Sequence, residues 1–261
     1  MTGKVVVVTG ASMGIGEAIA KIFADRGASL VLLSRDSNRV EAARARMGSA
    51  ERTIALGCDV RHREEVDRVL GLVLHHFQRI DVWVNNAGVG MRDTLAAMDV
   101  SKCRELFDVN FFGAIHCMQA VIPVMKQAGG GTIINISSVA GHIPVGLMSA
   151  YSASKFALTA AGKAARLELE VDNIHVLTVC PGYVRTDFGA NMISARGGSL
   201  KPKPVRGITA ERVARAVYEG FRKRKREVIV PWYMHLAVKL HQLLPGIVEW
   251  GMKRGMQRAA E

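Results

Sequence analysis

The sequence has few cysteines, and their spacing suits neither cross-links nor metal ligands. Four of its 261 residues are cysteine, at positions 58, 103, 117 and 180, and none forms a Cys-x-x-Cys pair. They lie in apolar runs such as Thr178–Pro181, a setting typical of buried thiols in a reducing compartment. We therefore expect a cytoplasmic protein without a disulfide framework and without a metal site.

Long apolar runs are also missing. The first run, Val5–Val8, is too short for a signal-peptide core or a membrane span. We find no stretch of about 18 uncharged apolar residues, and no internal repeat. The histidines at 62, 75, 76 and 116 show no metal-ligand spacing, so we interpret them as structural. We expect a soluble protein, or one that at most lies on a membrane surface.

Acidic residues are scarce relative to basic ones. The chain has 35 Lys and Arg against 23 Asp and Glu, a formal net charge of +12. Such an excess suits nucleic acid, a membrane surface or anionic small molecules. The excess is local, because residues 201–261 hold 14 basic and 5 acidic residues, whereas residues 1–200 hold 21 and 18. Since no nucleic-acid-binding motif accompanies it, we expect no nucleic-acid partner.

What the sequence does contain is an alternation of short apolar runs and helical patterns. Strands are predicted at Val5–Thr9, Ser29–Ser34, Thr53–Asp59, Val82–Asn85, Thr132–Ser137, His175–Cys180 and Glu227–Val230. Helices are predicted at Gly14–Arg26, Arg39–Met47, Arg63–Phe77, Val100–Met125 and Ser152–Leu169. Continuously apolar strands are typical of sheets covered on both faces. The pattern predicts an α/β fold of three layers, with a doubly wound, Rossmann-like parallel sheet.

We predict a single domain with a C-terminal extension. Residues 1–231 would form the Rossmann-like domain that binds a dinucleotide. Within it, residues 183–208 are rich in Gly, Pro, Lys and Arg, and a loop of this length is usually functional, so we expect a lid over the substrate. Residues 232–261 would add an amphipathic helical extension.

A glycine-rich turn follows the first predicted strand. Residues 9–16 read Thr-Gly-Ala-Ser-Met-Gly-Ile-Gly, and a helical pattern begins at Gly14. The glycines permit a close approach of backbone to a pyrophosphate, and the helix N-terminus supplies unpaired N–H groups. A glycine cluster alone would also suit an ordinary strand-to-helix turn. Its position between a strand and a helix favours dinucleotide binding.

The end of the second strand indicates which dinucleotide is bound. An acidic residue there would bind the ribose hydroxyls of NAD and repel the 2′-phosphate of NADP. This chain has Ser34 at that position and Arg35 after it, and a guanidinium can bind a phosphate with two parallel hydrogen bonds. We favour NADP(H), with NAD(H) as the alternative, because Asp36 could neutralise Arg35 and Met13 adds no basic contact in the glycine turn.

Three side chains form a candidate reactive group. Tyr151 and Lys155 are four residues apart at the start of a predicted helix, and so lie on one face. A nearby ammonium favours the phenolate and lowers the pKa of the phenol, which suits a general acid/base for interconverting a carbonyl and an alcohol. Ser138 could hydrogen-bond the substrate oxygen, whereas Ser137 would merely cap the turn. Taken alone, a Tyr-x-x-x-Lys pair is also common on solvent-facing helices.

Together these motifs resemble the short-chain dehydrogenase/reductase family, in its single-domain branch. The resemblance covers roughly residues 4–187. It is carried by the Thr9–Gly16 turn, Asp59-Val60, Asn85-Asn86-Ala87-Gly88, Asn110, Ser138, Tyr151 with Lys155, and Pro181-Gly182 with Thr186. Their order and spacing together are far more specific than any one of them.

The resemblance implies four catalytic residues, Asn110, Ser138, Tyr151 and Lys155. Tyr151 would protonate the carbonyl oxygen or deprotonate the alcohol, and Lys155 would hold the nicotinamide ribose and lower the pKa of the tyrosine. Ser138 would stabilise the reacting oxygen, and Asn110 would hold a water that completes a proton relay. Hydride would pass directly between nicotinamide and substrate, without a metal.

The resemblance also implies a set of cofactor contacts. They are Gly10, Ser12, Met13, Gly14, Ile15, Gly16, Ser34, Arg35, Asp59, Val60, Asn86, Ala87, Gly88, Tyr151, Lys155, Pro181, Gly182, Val184 and Thr186. In this set the Asp59 carboxylate would contact the adenine, with Val60 packed beside the ring. Two alternatives stay open, since Asp59 could simply be a turn residue and Asn110 a helix residue with a local hydrogen bond.

The segment between Ser138 and Tyr151 points to an apolar substrate. Residues 143–148 read Ile-Pro-Val-Gly-Leu-Met and would border the pocket, or else pack under the lid. His142 could touch the substrate, but we interpret it as a solvated loop residue. We expect NADP(H)-dependent interconversion of a small apolar carbonyl and its alcohol. The alternative is a catalytically idle, nucleotide-sensing interaction protein on the same fold.

The C-terminal extension leaves two interpretations open. One apolar stripe at helical spacing contains Trp232, Leu236, Leu240, Leu243 and Leu244. With the basic run 222–226 upstream, it could bind a membrane surface peripherally. We favour helices that close the substrate pocket or a subunit interface.

The helix that starts at Tyr151 carries a series of small residues. They are Ala153, Ala157, Ala160, Ala161 and Ala164. Small side chains permit close helix approach, and family members commonly pair through this helix and the one before it. We therefore expect a homodimer or homotetramer.

Overall fold

Seven parallel strands form one sheet in the described part of the protein. The structure, a computed structural model, describes residues 1–48, 50–189, 192–193 and 207–260, with only the backbone of residues 50 and 255–260. The strands are β1 Val5–Thr9, β2 Ser29–Ser34, β3 Thr53–Gly57, β4 Val82–Asn85, β5 Gly131–Ile136, β6 Ile174–Pro181 and β7 Glu227–Val230. They lie in the order β3-β2-β1-β4-β5-β6-β7, and every neighbouring pair is parallel. The predicted doubly wound sheet is confirmed.

Helices cover both faces of this sheet. The described α-helices are α1 Gly14–Ala24, α2 Ser37–Ala45, α3 Arg63–Phe77, α4 Val100–Phe107, α5 Gly113–Gln127, α6 Ser149–Glu168, α7 Ala210–Arg222, α8 Trp232–Leu243 and α9 Pro245–Ala260. Short 3₁₀ turns lie at Ala50–Arg52, Val139–Gly141, Glu170–Asp172 and Asp187–Gly189. Residues of α1, α2 and α7 pack on one face, and residues of α3, α5 and α6 on the other. The predicted three layers are confirmed.

Each face of the sheet has its own apolar core. Phe23 of α1 is fully buried on one face, and Val69 of α3 and Val121 of α5 on the other. Successive residues of the run Val5–Val8 alternate between the two cores, which explains why the strand is continuously apolar. Burying one such side chain contributes about 1.5–3 kcal/mol.

Several elements end one or two residues away from their predicted limits. Helix α2 begins at Ser37 rather than Arg39, because the Asp36 carboxylate caps it by accepting the Arg39 N–H at 3.0 Å. Strand β3 ends at Gly57 rather than Asp59, and β6 continues to Pro181. These shifts leave the order of the elements unchanged.

The long helix predicted over residues 100–125 is interrupted in the middle. A π-helical turn, Asp108–Phe112, joins α4 to α5. Taken together, α4, the π-helical turn and α5 (Val100–Gln127) are long and apolar enough to cross a membrane by length and composition, and 44% of their most apolar stretch is buried. Val121 lies in the core beneath the sheet, and core helices of soluble proteins satisfy the same criterion.

The carboxyl ends of the strands meet at one edge of the sheet. Chain order runs outward from β1 through β2 to β3, and in the opposite direction from β4 to β7. The crevice between β1 and β4 is therefore the point at which the strand order reverses, where doubly wound folds bind ligands. The predicted glycine turn follows β1, and Ser138 follows β5, so both lie at this edge.

Candidate active site

The glycine turn after β1 is held in shape by the next strand of the crevice. Gly10 and Gly14 have φ angles of +63° and +61°, which favour glycine. A Cβ on Gly16 would lie 2.3 Å from the carbonyl oxygen of Gly10. The Asn86 amide donates hydrogen bonds to the carbonyl oxygens of Thr9 at 2.9 Å and of Gly10 at 3.0 Å. The turn thus has the close approach of strand and helix that a pyrophosphate cradle requires.

Residues from two other strand ends border the glycine turn. The hydroxyl of Ser34, at the end of β2, donates to that of Ser12 at 3.3 Å. Thr186, beyond β6, lies 3.3 Å from the position of a Cβ on Gly14. The residue predicted to lie near the ribose, Ser34, and the residue predicted to contact the nicotinamide end, Thr186, therefore both border the glycine turn.

The basic residues near Ser34 differ from the sequence expectation. Asp36 pairs with Arg39 at 3.3 Å rather than neutralising Arg35, which is exposed. A second guanidinium, which the sequence analysis missed, belongs to Arg46 after α2. It donates to the carbonyl oxygen of Ser12 at 3.4 Å and to Glu17 at 2.7 Å. No local sequence motif predicts that Arg46 lies beside the glycine turn, because its partners lie about thirty residues earlier in the chain.

Asp59 and Val60 have protein partners at the end of β3. The Asp59 carboxylate binds the guanidinium of Arg61, with Oδ2 2.7 Å from Nη2. Burial opposes ionisation of Asp59, but the hydrogen bonds from Arg61 outweigh it, and the pKa of Asp59 is lowered. The Val60 side chain is buried against Gly113 of α5. These bonds suit the turn residue that was the alternative above, and the predicted contact of Asp59 with adenine stays a prediction.

Tyr151 and Lys155 lie together in the first turns of α6. The Lys155 ammonium is 5.9 Å from the centre of the Tyr151 ring and donates to the Ile136 carbonyl oxygen at 3.1 Å. Burial raises the pKa of Tyr151 to about 12, against a hydrogen bond with Ser138 that lowers it. Burial also lowers the pKa of Lys155 to about 8. Desolvation is the largest influence on the pKa of Tyr151 in these surroundings. The expected lowering of that pKa by Lys155 stays a prediction.

Of the two serines after β5, Ser138 and not Ser137 caps the turn, while the predicted contact of Ser138 with a substrate oxygen stays a prediction. Ser138 caps the 3₁₀ turn, accepting the Ala140 N–H at 3.1 Å, and its hydroxyl lies 3.4 Å from the Pro181 carbonyl oxygen. Ser137 is buried and donates to the Lys155 carbonyl oxygen at 3.0 Å. The interpretation of Ser137 as the cap is wrong. Ser137 instead links the end of β5 to α6, and this hydrogen bond holds the backbone of Lys155 close to Ser138.

Asn110 lies in the π-helical turn between α4 and α5. Its side-chain oxygen accepts the Val89 N–H at 2.8 Å, and its amide donates to Val89 O at 2.9 Å and to Ser154 Oγ at 3.1 Å. Asn110 Oδ1 and Lys155 Nζ lie 3.2 and 3.4 Å from the position of a Cβ on Gly88. A Cβ on Gly88 would therefore contact both groups and lie tightly against Asn110 Oδ1. π-Helical turns are frequent at functional sites.

A partly buried polar cluster lies near Tyr151 and Lys155, and the sequence analysis missed it. His142 has only 7% of its side chain exposed, and its Nε2 lies 3.2 Å from Glu227 Oε1 and 3.5 Å from Cys180 Sγ. Lys163 Nζ is also 3.2 Å from Glu227. His142 lowers the pKa of Glu227 to about 2, against burial and with help from Lys163. The interpretation of His142 as solvated is wrong, because β6 and β7 bring Cys180 and Glu227 to it.

The same cluster has the spacing of metal ligands. The donor atoms of His142, Cys180 and Glu227 all lie within 4.8 Å of one another. Lys163 already supplies the Glu227 carboxylate with a cationic partner, and an ion pair accounts for the arrangement. The expectation that the protein needs no metal stays a prediction.

The described parts of the predicted lid approach Tyr151. The Phe188 ring lies 5.9 Å from the Tyr151 ring, and Ile193 and Val184 form isolated bridges with Met91 and Ile208. Residues 190–191 and 194–206 of the lid lie outside the described residues. Next to Tyr151 is an apolar cluster of Met91, Leu106, Ala150, Val89, Met98, Cys103, Phe107 and Ile193. Met91 and Leu106 are buried, so this cluster gives Tyr151 apolar surroundings within the protein.

Comparison with known proteins identifies the family of this chain. Residues 4–197 match the family model of the short chain dehydrogenases. The chain is 33% identical to dehydrogenase/reductase SDR family member 7B of Mus musculus over 256 residues, 95% of this chain and 79% of that relative. It is 31% identical to 11-beta-hydroxysteroid dehydrogenase 1A of Arabidopsis thaliana, over 96% of this chain and 75% of the relative.

A solved structure has the same fold. It is 3-ketoacyl-(acyl-carrier-protein) reductase from Brucella melitensis, complexed with NADH. The TM-score is 0.79 at 26% identity, over 88% of this chain and 97% of that one.

Proposed function

Because the chain belongs to the short-chain dehydrogenase/reductase family, whose members act on CH–OH and C=O groups with NAD(P), we propose that it is an NADP(H)-dependent enzyme with Tyr151 as its general acid/base. Lys155, Ser138 and Asn110 assist. The observation that carries this assignment is the position of Tyr151, close to Lys155 and Ser138 at the carboxyl edge where the glycine turn lies. A carbonyl oxygen between Ser138 and Tyr151 would meet two hydroxyl donors.

The mechanism assigns the proton to Tyr151. A bound nicotinamide supplies or accepts the hydride. With a pKa of about 12, the phenol holds its proton at neutral pH and serves as the acid when a carbonyl is reduced. In the reverse direction Tyr151 must lose that proton, and the Lys155 ammonium favours the phenolate. Ser138 donates to the oxygen as negative charge develops on it.

The residues around the glycine turn fit a dinucleotide phosphate. The turn lies at the N-terminus of α1, whose N–H groups and dipole favour an anion. The preference for NADP(H) rests on Ser34, which carries no charge to repel a 2′-phosphate, and on Arg35, which is exposed beside it. Arg46, which pairs with Glu17, adds a second cation that donates to the carbonyl oxygen of Ser12, the residue that Ser34 contacts. NAD(H) is the alternative, and the Brucella melitensis reductase is described with NADH.

The proposed substrate is a small apolar carbonyl compound or its alcohol. The apolar cluster around Met91 and Leu106 adjoins Tyr151, and Phe188 covers the tyrosine from the lid side. The name of the Arabidopsis relative, a hydroxysteroid dehydrogenase, is in keeping with an apolar substrate.

We also propose a homodimer or homotetramer in the cytoplasm. One face of α6 exposes Ala153, Phe156, Ala160, Ala164 and Leu167, so small and apolar side chains are presented together. The four cysteines are free thiols, which suits a reducing compartment.

The direct test replaces Tyr151 by Phe. We expect the oxidation of NADPH with a panel of aldehydes, ketones and quinones to fall by about 10²–10⁴-fold, because the acid is lost. Cofactor binding, measured by nucleotide fluorescence, should persist. Tyr218→Phe is the matched control, since Tyr218 packs on Phe23 of the core. Unchanged turnover in Tyr151→Phe would contradict the mechanism, and no turnover with any substrate in the parent would favour the idle, nucleotide-sensing alternative.

A further inference from the structure

The two C-terminal helices expose a series of large apolar side chains. On α8 and α9 these are Trp232, Tyr233, Leu236, Leu240, Leu243, Leu244, Ile247 and Trp250, which we call the C-terminal apolar face. Their exposed fractions reach 69% at Trp232, 77% at Leu243 and 57% at Trp250. The buried residue of α8 is Val238. The apolar stripe itself is therefore uncovered within one protomer, and the expectation that these helices close the substrate pocket or a subunit interface stays a prediction.

A different side chain of α8 meets the active site. Met234 Cγ lies 3.5 Å from the position of a Cβ on Gly182, at the predicted nicotinamide end. Trp232, Leu236, Leu240 and Leu243 share another face of the helix by their spacing and are exposed. Helix α8 thus packs on the carboxyl edge with one face and leaves its apolar stripe uncovered.

The composition of this face is that of a membrane-binding helix. Soluble monomers rarely expose contiguous apolar patches of more than a few hundred Å². Trp and Tyr, of which this face has three, are enriched where an apolar surface meets a wet one. Interfacial helices combine such residues with basic ones and insert their apolar face between lipid headgroups and acyl chains.

The charge around the face favours anionic lipid over a second copy of the chain. Lys239, Lys253 and Arg254 are exposed on α8 and α9, and the Arg254 guanidinium stacks 3.8 Å from the centre of the Trp250 ring. Across residues 232–260 the sequence has four basic residues, Lys239, Lys253, Arg254 and Arg258, and one acidic residue, Glu249. Two copies that met through this face would bring like charges together. Anionic headgroups complement them.

The basic run Arg222–Arg226 is separate from this surface. It precedes β7, whereas α8 begins just after the opposite end of that strand. The basic charge used here therefore comes from α8 and α9 themselves.

We propose that the C-terminal apolar face binds the surface of an anionic phospholipid membrane. The apolar side chains insert at the headgroup level, and Lys239, Lys253 and Arg254 contact the lipid phosphates. Because α8 contacts Gly182, docking brings the carboxyl edge of the sheet close to the membrane. An apolar substrate dissolved in the bilayer then has a short path to Tyr151, a consequence that rests on the proposed function, whereas docking itself does not.

The test is sedimentation of the full chain with vesicles, without substrate or cofactor. We expect binding to vesicles of phosphatidylcholine with phosphatidylserine and little binding to phosphatidylcholine alone. Trp232 and Trp250 are exposed and Trp83 is buried, so tryptophan emission should shift to shorter wavelength on binding. The triple variant Trp232→Ser, Leu243→Ser, Trp250→Ser should lose affinity by about tenfold or more.

A matched triple variant controls for the loss of exposed apolar surface. Leu72→Ser, Leu95→Ser, Val171→Ser also removes three exposed apolar side chains, none of them in α8, α9 or the exposed face of α6, and should bind vesicles as the parent does. Replacing Lys239, Lys253 and Arg254 by Gln leaves the apolar face intact and should weaken binding and its salt dependence.

Three outcomes would overturn the proposal. They are equal binding to neutral and anionic vesicles, binding that survives the C-terminal triple variant, and failure of the parent to bind. Light scattering tests the competing occupant, a second copy of the chain. If the parent does not bind vesicles but is an oligomer, and the C-terminal triple variant is a monomer, then the subunits pair through this face. None of these readouts depends on catalysis, so the proposed enzyme activity could stand if the docking failed.

Discussion

Arg35 is the residue on which the choice of cofactor depends. It is exposed at the end of β2, and the neighbouring carboxylate of Asp36 is engaged with Arg39 and with the start of α2. A charge-assisted hydrogen bond from Arg35 to a 2′-phosphate would contribute about 1.5–3 kcal/mol. NADH has no phosphate there and would not feel this contact.

Arg35→Ala should therefore separate the two cofactors. We expect the Kd for NADPH to rise by about tenfold or more, with little change for NADH, as measured by fluorescence titration. Arg39→Ala is the control, since Arg39 is also exposed on this segment but pairs with Asp36. Equal losses for the two cofactors in Arg35→Ala would refute the phosphate assignment.

Ionised Glu227 contributes to the free energy of unfolding, and this contribution depends on pH. Its pKa is lowered from 4.5 to about 2, chiefly by His142. A carboxyl group with a lowered folded-state pKa stabilises the fold fully above its unfolded pKa, and the benefit disappears as pH falls through the folded value. The loss should thus occur between pH 4.5 and about 2.

Glu227→Gln should remove this pH-dependent contribution. In urea unfolding, we expect the variant to be less stable than the parent at pH 7 by about 2 kcal/mol, and the difference to shrink as pH falls towards 2. Glu64→Gln, whose side chain is 80% exposed, should follow the parent throughout. A difference that stays constant with pH would mean that packing, and not ionisation, is what the substitution disturbs.

At the scale of elements, α6 depends on close contact with the sheet. A Cβ on Gly162 would lie 2.8 Å from Thr178 Oγ1 of β6 and 3.0 Å from Asn135 Nδ2 of β5. Both neighbours are fully buried and cannot move aside easily. Gly162 therefore sets the distance between α6, which carries Tyr151, and the strands that precede Ser138 and Gly182.

A pair of helical glycines tests this contact. Gly162→Ala should lower the free energy of unfolding by about 1–3 kcal/mol, because α6 must move off the sheet. Gly71→Ala in α3 should raise it by about 0.5–1 kcal/mol, since a Cβ there meets nothing within 4 Å and alanine favours the helix. Denaturant titration measures both, and a stabilising Gly162→Ala would contradict the close packing.

At the scale of the whole molecule, sequence predicts the sheet better than the site. The strands are continuously apolar because side chains alternate between two cores, as at Val5–Val8, and such a pattern is visible in one dimension. The cluster of His142, Cys180 and Glu227 is not, because it forms only when β6 and β7 pair. The π-helical turn at Asp108–Phe112 leaves no hydrophobic period to detect.

Assembly is the other property of the whole molecule that can be tested. The exposed face of α6 contains Ala160 between Phe156 and Leu167, and a charge at its centre would be desolvated on pairing. Ala160→Glu should therefore reduce the mass measured by light scattering from that of a dimer or tetramer to that of a monomer. Leu95→Glu, exposed elsewhere, should leave the mass unchanged. If Ala160→Glu does not alter the mass either, the subunits pair through another surface.

The glycine turn is tied to β4 by more than its own backbone. Thr9 Oγ1 accepts the N–H groups of Asn86 and Ala87 at 2.9 and 3.0 Å, and the Asn86 amide donates back to Gly10. Because of these hydrogen bonds the turn is ordered when the protein folds, before a cofactor binds. Dinucleotide binding therefore does not include the entropy cost of ordering a flexible glycine loop. The affinity depends instead on the contacts that the dinucleotide makes with a surface already in its binding conformation.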